Sequence, residues 1–347
     1  MSGARPPTDA PLRVALVGAG FMGAFHADTL ARLPGASLTV VVDASLDAAT
    51  RAAAPVPGAR AGTALDDAFG DDVDAVVLAT PAATHPALIE RAATAGQAIF
   101  CEKPLATDLA DAERARDAVH AAGVPFQIGF QRRYDRGIAR LLSAARDGSL
   151  GTLETFRSTT FDPYGPDYAT MASAAGIFHD TLSHDVDLAL ATFGPVAEVF
   201  TRAASVLDPR FEDLGKPDTI SLSLRFANGA LGTIDDRLRS GYGYETSLEV
   251  AGSRGKGVVR DDRLDGFVLH HEGRTETDFV PWFLERFETA YRAELEAFVG
   301  AVRDGRPPDP GIDHALAVLR VCLAAERAYL EDRRVRVDPG PDDGRPT

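Results

Sequence analysis

Short apolar runs alternate with helical patterns over the first third of the chain. The five runs are RVALVGAG, LTVVVDAS, VDAVVLATP, AIFCEKP and PFQIGF. Helical patterns lie between them, for instance at 85–95 and 109–122. Continuous apolar strands separated by helices predict a parallel sheet that is covered on both faces. We therefore expect a doubly wound α/β domain, the Rossmann arrangement, over residues 12–131.

After Arg133 the pattern changes to longer runs in which apolar and polar residues alternate. The strand candidates are LETFRSTTF, AEVFTRAASV, TISLSLRF, ALGTIDDRL and TSLEVAG, and Asn228-Gly229 predicts a hairpin turn. Two helical patterns follow at about 283–303 and 313–331, separated by the breaker DGRPPDPG. Residues 132–337 are therefore expected to form an α+β domain with a large, mostly antiparallel open sheet.

The composition is that of a globular protein with two domains. The chain has 347 residues, of which 45% are hydrophobic, and it contains no apolar run long enough for a membrane helix. Its N-terminal segment lacks the apolar centre of a secretion signal, so we expect a cytoplasmic protein. A net charge of -15 opposes binding to nucleic acid or to anionic membranes. The Pro-, Gly- and Asp-rich ends, residues 1–11 and 338–347, are expected to be mobile.

Cysteine and lysine are both rare in this chain. Cys101 and Cys322 are the only cysteines, and both lie in apolar surroundings that favour buried free thiols. Of the 36 basic residues, only Lys103, Lys216 and Lys256 are lysine. A titratable ammonium differs chemically from a guanidinium, and Lys103 directly follows an apolar strand. Lys103 is therefore a candidate for a catalytic role, and not merely for supplying a positive charge.

A glycine-rich turn connects the first strand to a helical pattern. Gly18 permits the tight turn, Gly20 lets the backbone approach a pyrophosphate, and Gly23 lets helix and strand pack closely. Phe21 and Met22 lie between the second and third glycines, at the helix N-terminus that donates hydrogen bonds to phosphates. The order of strand, glycines and helix predicts a dinucleotide site to which these five residues contribute.

Asp43 stands at the end of the second strand, twenty residues after Gly23. A carboxylate at this position accepts hydrogen bonds from the ribose hydroxyls and repels a 2'-phosphate. The following Ala44-Ser45 offers no arginine to hold that phosphate. We therefore predict NAD rather than NADP. On its own Asp43 could equally be a turn residue.

The third and fourth strands end in polar residues as well. Thr80, Pro81 and His85 follow the third strand, and Glu102 and Lys103 follow the fourth. Because open α/β sheets bind ligands at the carboxyl ends of their strands, we expect these five residues at the cofactor site. Turn chemistry or helix capping is the alternative for the first three. A Glu102–Lys103 salt bridge is disfavoured, since adjacent strand residues point to opposite faces.

The segment FHDTLSHDVDL lies within a predicted helix over 177–193 that ends at Gly194-Pro195. On a helical wheel Asp180, His184 and Asp187 share one stripe. The stripe is either a solvated acidic face or a catalytic edge in which Asp180 orients His184 as a base.

The other polar residues of this segment are expected away from the stripe. His179 falls among the core-facing residues, and Asp185 lies off the stripe. His179 and His184 are five residues apart and point in different directions, so they cannot hold a metal together as an i, i+4 pair does. No metal is expected.

Seven separated motifs resemble those of the Gfo/Idh/MocA oxidoreductases, relatives of glucose-fructose oxidoreductase and inositol dehydrogenase. They are VGAGFMG with Asp43, ATPAATH, EKP, GFQRRYD, GIFHDTLSHDVD, YGYETSLEVAGSRG and RFETAYRAELEAFV, and they span about residues 12–337. The resemblance implies a Rossmann domain followed by an α/β domain with an open sheet, and a homo-oligomer, a tetramer or a dimer, formed through that sheet. It also implies oxidation of a secondary hydroxyl of a cyclitol or sugar with NAD.

The resemblance also assigns roles to individual residues. Lys103, Asp180 and His184 match the family's catalytic positions: His184 is expected to take the hydroxyl proton, Asp180 to orient it, and Lys103 to stabilise the developing alkoxide. Two other functions fit the same fold, an NAD-dependent glycosidase with no net redox change and a non-catalytic NAD-binding sensor. A sensor has no need for this complete set of three residues.

Substrate contacts are expected from Arg133, Asp162 and Tyr244, by the same resemblance. The chain departs from the family pattern at two places. Ala82 replaces the asparagine that relatives often have, and Phe161 stands before Asp162 where inositol enzymes tend to have arginine. The second departure lies near the expected substrate site.

Overall fold

A computed structural model describes residues 10–260 and 263–338, and it divides into two compact units. The first unit extends to Phe130 and also includes Tyr291–Leu316. The second contains Gln131–Ala290 and continues from Ala317. The first boundary lies one residue before the predicted one, and the segment Tyr291–Leu316 joins the first unit rather than the second. Most of the terminal residues predicted to be mobile lie outside the described ranges.

The first unit is built on a six-stranded sheet in the order β3-β2-β1-β4-β5-β6. All five strand pairings are parallel, and this order is the one found in dinucleotide-binding folds. The predicted doubly wound sheet is therefore confirmed. Its strands are β1 (Leu12–Val17), β2 (Ala36–Val42), β3 (Arg60–Gly62), β4 (Ala75–Leu78), β5 (Ala98–Glu102) and β6 (Phe126–Gly129).

Four helices follow strands of this sheet. Sequence features define their ends: in the last of the four, the Asp108 side chain accepts a hydrogen bond from the amide of Asp111, and Gly123 closes the C-terminus at φ 63°. The predicted helices at 85–95 and 109–122 are confirmed within a residue. The helices are α1 (Phe21–Arg32), α2 (Leu46–Ala53), α3 (His85–Thr94) and α4 (Leu109–Ala122).

A seven-stranded sheet forms the second unit, in the order β12-β11-β7-β10-β9-β8-β15. Five of its six pairings are antiparallel, and only β7 and β10 are parallel. The predicted, mostly antiparallel sheet is confirmed. Its strands are β7 (Leu153–Phe161), β8 (Val196–Ala204), β9 (Thr219–Phe226), β10 (Leu231–Arg237), β11 (Glu245–Gly252), β12 (Gly255–Arg260) and β15 (Val335–Arg336).

The described residues of this half of the chain also form a small hairpin and five α-helices. The two long helices were predicted within two residues at each end, and each contributes residues to both units. The elements are α5 (Arg136–Arg146), α6 (Tyr168–Ser173), α7 (Leu182–Phe193), β13 (Leu269–His271), β14 (Arg274–Glu276), α8 (Phe283–Asp304) and α9 (Ile312–Leu330).

One face of the seven-stranded sheet is buried and mainly apolar, and the other is mostly exposed. Along β9 the residues Ile220, Leu222 and Leu224 are buried, whereas the serines between them are exposed. This alternation is the period of a strand with one covered face. Asn228-Gly229 makes the predicted hairpin turn, with Gly229 at φ 91°.

Helix α7 begins at Leu182, five residues later than predicted. Residues 177–181 form turns instead, in which the amides of His179 and Asp180 both donate to the carbonyl of Gly176. Gly176 has φ 81°, a conformation outside the helical region that turns the chain before the helix. Asp180 therefore precedes the helix, and the predicted stripe does not include it. The predicted end at Gly194 is confirmed.

Neither cysteine forms a disulfide: Cys101 and Cys322 are buried free thiols, as predicted. Burial raises the pKa of both thiols, which makes them poor nucleophiles. Of the helices in the described parts of the chain, none has the length and apolar content needed to cross a membrane. The cytoplasmic location stays a prediction.

Candidate functional site

The three glycines of the first turn are required for two different reasons. Gly18 has φ 95°, and a Cβ there would lie 2.4 Å from the carbonyl oxygen of Ala79. A Cβ on Gly23 would lie 2.0 Å from the carbonyl oxygen of Gly18. The fold itself thus requires both. A Cβ on Gly20 would meet no described atom within 4 Å, so its lack of a side chain fits close approach of a ligand.

The N-terminus of α1 is suited to bind phosphate. Gly20 is its N-cap, no side chain of the described residues caps it, and its first turn carries no acidic residue. Its first amides can therefore donate to a pyrophosphate. Phe21 is 55% exposed and Met22 is half-buried.

An open pocket of about 400 Å³ lies beside this turn. Arg51 of α2, which was not singled out from the sequence, is part of its wall. The signal was present, because Ala48, Arg51 and Ala52 recur at helical spacing along α2. The wall consists of Ala19, Gly20, Phe21, Ala24, Ala48, Arg51, Ala52 and Pro55.

Asp43 holds the glycine turn with its carboxylate. Oδ2 accepts a hydrogen bond from the amide of Ala19 at 2.7 Å, and Oδ1 accepts one from the amide of Ser45 at 2.8 Å. A carboxylate oxygen has room for a second donor, so this turn role leaves capacity for ribose hydroxyls. The residues of this edge fit a dinucleotide, and the ribose contact of Asp43 stays a prediction.

His85 connects the loops that follow β4 and β5. Its ring is fully buried, with Nε2 2.9 Å from the carbonyl oxygen of Thr80 and Nδ1 2.8 Å from that of Pro104. Burial lowers the pKa of His85, and a neutral imidazole donates from only one nitrogen. Both ring nitrogens face backbone carbonyls, so the histidine fixes the spacing of two strand ends. Its predicted contact with a cofactor, like those of Thr80 and Pro81, stays a prediction.

Glu102 and Lys103 form the end of β5. The buried Glu102 carboxylate accepts a hydrogen bond from His26 Nε2 of α1 at 2.6 Å and another from the backbone amide of Lys103 at 3.2 Å. His26 was not singled out from the sequence. Lys103 is half-buried.

In the second unit, Arg132 is the centre of a buried polar network. Its guanidinium donates to Asp185 Oδ2 at 3.1 Å, to Thr160 Oγ1 at 2.9 Å and to the Tyr244 hydroxyl at 3.2 Å. Asp185 also accepts from the hydroxyls of Ser158 and Thr160. Burial raises the pKa of Tyr244, so the phenol stays protonated.

Arg133 forms a second buried ion pair with α7. Its Nε lies 2.9 Å from Asp187 Oδ1 and its Nη2 lies 2.7 Å from the same oxygen. Asp185 and Asp187 are both fully buried. The alternative of a solvated acidic face is therefore wrong for these two aspartates. Each aspartate enters the interior because an arginine accompanies it.

Asp236 of β10 was not singled out from the sequence. It is fully buried, and neither carboxylate oxygen accepts a hydrogen bond from a described residue. Burial, with a smaller contribution from the nearby Asp185, raises the pKa of Asp236 well above its usual range. A neutral acid at this position avoids a second buried negative charge beside Asp185.

Three further residues predicted at the site lie in or near the same elements. Asp180 is exposed and precedes α7, and His184 is buried on its first turn. Asp162 is half-buried, and its amide extends the β7–β10 pairing by donating to Arg237 at 2.9 Å. His179 is not in the apolar core as predicted: its Nε2 lies 3.2 Å from Glu326.

Among residues 10–260 and 263–338, no group of three or more His, Cys, Asp or Glu side chains could hold a metal ion.

The comparisons with known proteins match both units. Residues 12–130 match the family model described as "Oxidoreductase family, NAD-binding Rossmann fold", and residues 138–258 match the "GFO/IDH/MocA C-terminal domain". The fold and its glycine turn thus define an NAD-dependent oxidoreductase. The chain belongs to the Gfo/Idh/MocA family, and the predicted family, fold class and NAD cofactor are confirmed.

Individual relatives align along nearly the whole chain. An "Inositol 2-dehydrogenase" of Rhizobium meliloti is 35% identical over 94% of this chain and 99% of its own length. A "Myo-inositol 2-dehydrogenase" of Thermotoga maritima is 32% identical over 94% of this chain and 99% of its own. The crystal structure of a myo-inositol dehydrogenase from Corynebacterium glutamicum superposes with a TM-score of 0.90 at 29% identity, covering 95% of this chain and all of that one.

The Arg133–Asp187 ion pair yields a prediction about stability. Arg133→Met or Asp187→Leu leaves the opposite charge buried without its ion-pair partner, and we expect each to lower the free energy of unfolding by about 3–5 kcal/mol. The double variant should lose much less than the two single losses together. Urea unfolding followed by circular dichroism measures all three.

Arg32→Met provides the matched control. It breaks an exposed pair with Asp28 on α1, where the arginine side chain is 64% exposed, and should cost less than about 1 kcal/mol. Single losses as small as this control, or a double loss equal to the sum of the singles, would contradict the role of the pair.

Proposed function

We propose that the protein is an NAD-dependent dehydrogenase that oxidises a ring secondary hydroxyl of a cyclitol, or of a closely related sugar, to a ketone. The observation that carries the proposal is the end-to-end alignment with proteins named as inositol dehydrogenases. The chain itself has a dinucleotide turn in its first unit and a histidine on α7 in its second.

The cofactor supplies a hydride acceptor when it is bound. Its pyrophosphate would be held by the amides at the start of α1 and its ribose by Asp43, with Gly20 allowing close approach. Thr80, Pro81 and Glu102 complete this edge of the first unit in the proposal.

We assign the proton chemistry to three residues of this chain. His184 takes the proton of the reacting hydroxyl, and Asp180 fixes the imidazole tautomer that can do so. The ammonium of Lys103 stabilises the negative charge that develops on the same oxygen.

The polar network of the second unit favours an uncharged substrate. The positive charges of Arg132 and Arg133 are each matched by a buried aspartate, Asp185 and Asp187. The remaining polar groups donate and accept hydrogen bonds without contributing net positive charge, which suits the hydroxyls of a neutral polyol better than a carboxylate or phosphate. Within this proposal Arg133, Asp162 and Tyr244 contact the substrate.

A substrate panel tests the function itself. Inositol stereoisomers, neutral aldoses and sugar acids are offered with NAD, and NADH is followed by its near-ultraviolet absorbance. We expect neutral cyclitols to exceed sugar acids in kcat/KM by at least about tenfold. NADP should show a higher KM than NAD because Asp43 repels the 2'-phosphate.

Two outcomes of this panel would contradict the proposal. Sugar acids as the best substrates would overturn the substrate class. Release of product from a glycoside with no accumulation of NADH would identify the glycosidase alternative.

Variants of His184 and Lys103 test the assigned chemistry. We expect His184→Ala to lower kcat by about 10² to 10⁴ and Lys103→Arg by about 10² or more, since arginine keeps the charge but not the geometry. If both act on the same oxygen in one step, the double variant loses less than the product of the single losses.

Lys256→Arg is the control for the lysine substitution. Lys256 pairs with Glu249 on the surface, 2.9 Å away, and its replacement should leave kcat unchanged. Full turnover in His184→Ala, or in Lys103→Arg, would remove that residue from the mechanism.

We further propose that the protein is a homo-oligomer, a dimer or a tetramer, formed through the seven-stranded sheet. The support is the exposed face of that sheet, which includes Leu231 at 58% exposure. Light scattering should give a mass two or four times 36.8 kDa, and Leu231→Arg should lower it. Val206→Arg, at an exposed position outside the sheet, should not. A wild-type mass of 36.8 kDa would contradict the proposal.

A further inference from the structure

His26 is a buried histidine on the helix that carries the glycine turn. Its ring is fully buried and lies edge-on to Phe100, with ring centroids 5.6 Å apart. Phe25 makes a second edge contact at 6.2 Å. The ring therefore has one orientation, with Nε2 directed at the Glu102 carboxylate 2.6 Å away. Nδ1 meets no hydrogen-bond partner among the described residues, so the contact with Glu102 is the polar contact seen for this ring.

Glu102 is held on its other sides as well. Its Oε2 accepts the backbone amide of Lys103 at 3.2 Å. Gly129 on the neighbouring strand leaves room for the carboxylate, because a Cβ there would lie 3.2 Å from Oε2. A buried carboxylate that accepts two hydrogen bonds has a fixed position, and it fixes the backbone amide of Lys103 in turn.

The residue after Lys103 is fixed independently. The carbonyl oxygen of Pro104 contacts Nδ1 of the buried His85 at 2.8 Å. The backbone on both sides of Lys103 is thus attached to a buried histidine, His26 through Glu102 and His85 directly. Two attachments leave the Lys103 backbone little freedom to move.

We infer that His26 is a positioning residue for Lys103, acting through the hydrogen bond that its Nε2 donates to Glu102. The inference rests on the proposed function only in giving Lys103 a catalytic role, since the positioning itself concerns the folded protein alone. It also connects the glycine turn to Lys103, because the turn leads directly into the helix that carries His26.

Two substitutions separate the hydrogen bond from the packing of the ring. His26→Leu fills the space but removes the donor. His26→Gln keeps a nitrogen donor at a position comparable to Nε2. Thr29→Val is the control on the same helix, since this buried side chain donates to the carbonyl of Phe25 in its own helix.

The lysine content of the chain provides a measurement that does not depend on activity. Trace acetylation over a range of pH, read by mass spectrometry, reports each of the three lysines separately. Lys216 donates to three backbone carbonyls and Lys256 pairs with Glu249, so both serve as internal references in the second unit.

In His26→Leu we expect the acetylation midpoint of Lys103 to rise by at least about half a pH unit. With one hydrogen-bond donor fewer, the Glu102 carboxylate is less neutralised by its surroundings, and this favours the charged form of the adjoining lysine. His26→Gln and Thr29→Val should keep the wild-type midpoint, and the two reference lysines should not change in any variant.

Kinetics give the second measurement. We expect His26→Leu to lower kcat by about 10- to 100-fold, with the KM for the polyol changed by less than about threefold, because misplacement of Lys103 affects the reaction more than binding. His26→Gln should restore kcat to near the wild-type value.

Either of two results would overturn the inference. One is an unchanged or lowered Lys103 midpoint in His26→Leu. The other is an equal change in His26→Gln, which would make the effect one of packing. The proposed function can fail separately. If the wild-type protein oxidises no polyol but the Lys103 midpoint still rises in His26→Leu, the positioning role stands and the proposed function is refuted.

Discussion

The burial of α7 is the constraint on which the second unit depends. This helix carries Asp185 and Asp187, yet all of its residues from Leu182 to Ala189 are buried. Moving a carboxylate out of water costs several kcal/mol unless a cation and further hydrogen bonds accompany it. Arg132 and Arg133 meet that requirement, one for each aspartate. The pairing fixes the turn that carries the arginines and the face of the helix beside them, and His184 lies on the first turn of that helix.

The requirement that buried polar groups have hydrogen-bond partners also shapes the cofactor edge of the first unit. Two buried histidines lie at this edge: His26 of α1 contacts the Glu102 carboxylate at the end of β5, and His85 contacts the carbonyl oxygens of Thr80, after β4, and Pro104, after β5. These hydrogen bonds connect strand ends that the sheet alone would only bring near one another. The close approach of Gly18 to Ala79 adds a steric connection at the same edge. A site built this way is rigid before any ligand binds, which lowers the cost of ordering it.

The elements that follow from local periodicity were predictable. Apolar strands, the Asn228-Gly229 hairpin and the glycine turn each depend on residues that are close together in the chain. What failed depends on partners far apart. Burial of the two aspartates of α7 could not be read from the helical pattern, because the arginines that pair with them stand more than fifty residues earlier. His26 was missed because its partner, Glu102, is 76 residues away. The short β3 has too few apolar residues to be detected.

Isotopic labelling reports directly on hydride transfer from a ring carbon of a polyol to NAD. A cyclitol that carries deuterium at one carbinol carbon is incubated with the protein and NAD, and the released NADH is analysed by mass spectrometry together with the ketone. We expect NADH that has gained one deuterium, in equal amount with the ketone. Ketone formed without deuterium in the cofactor, or a labelled sugar released with no net NADH, would contradict it.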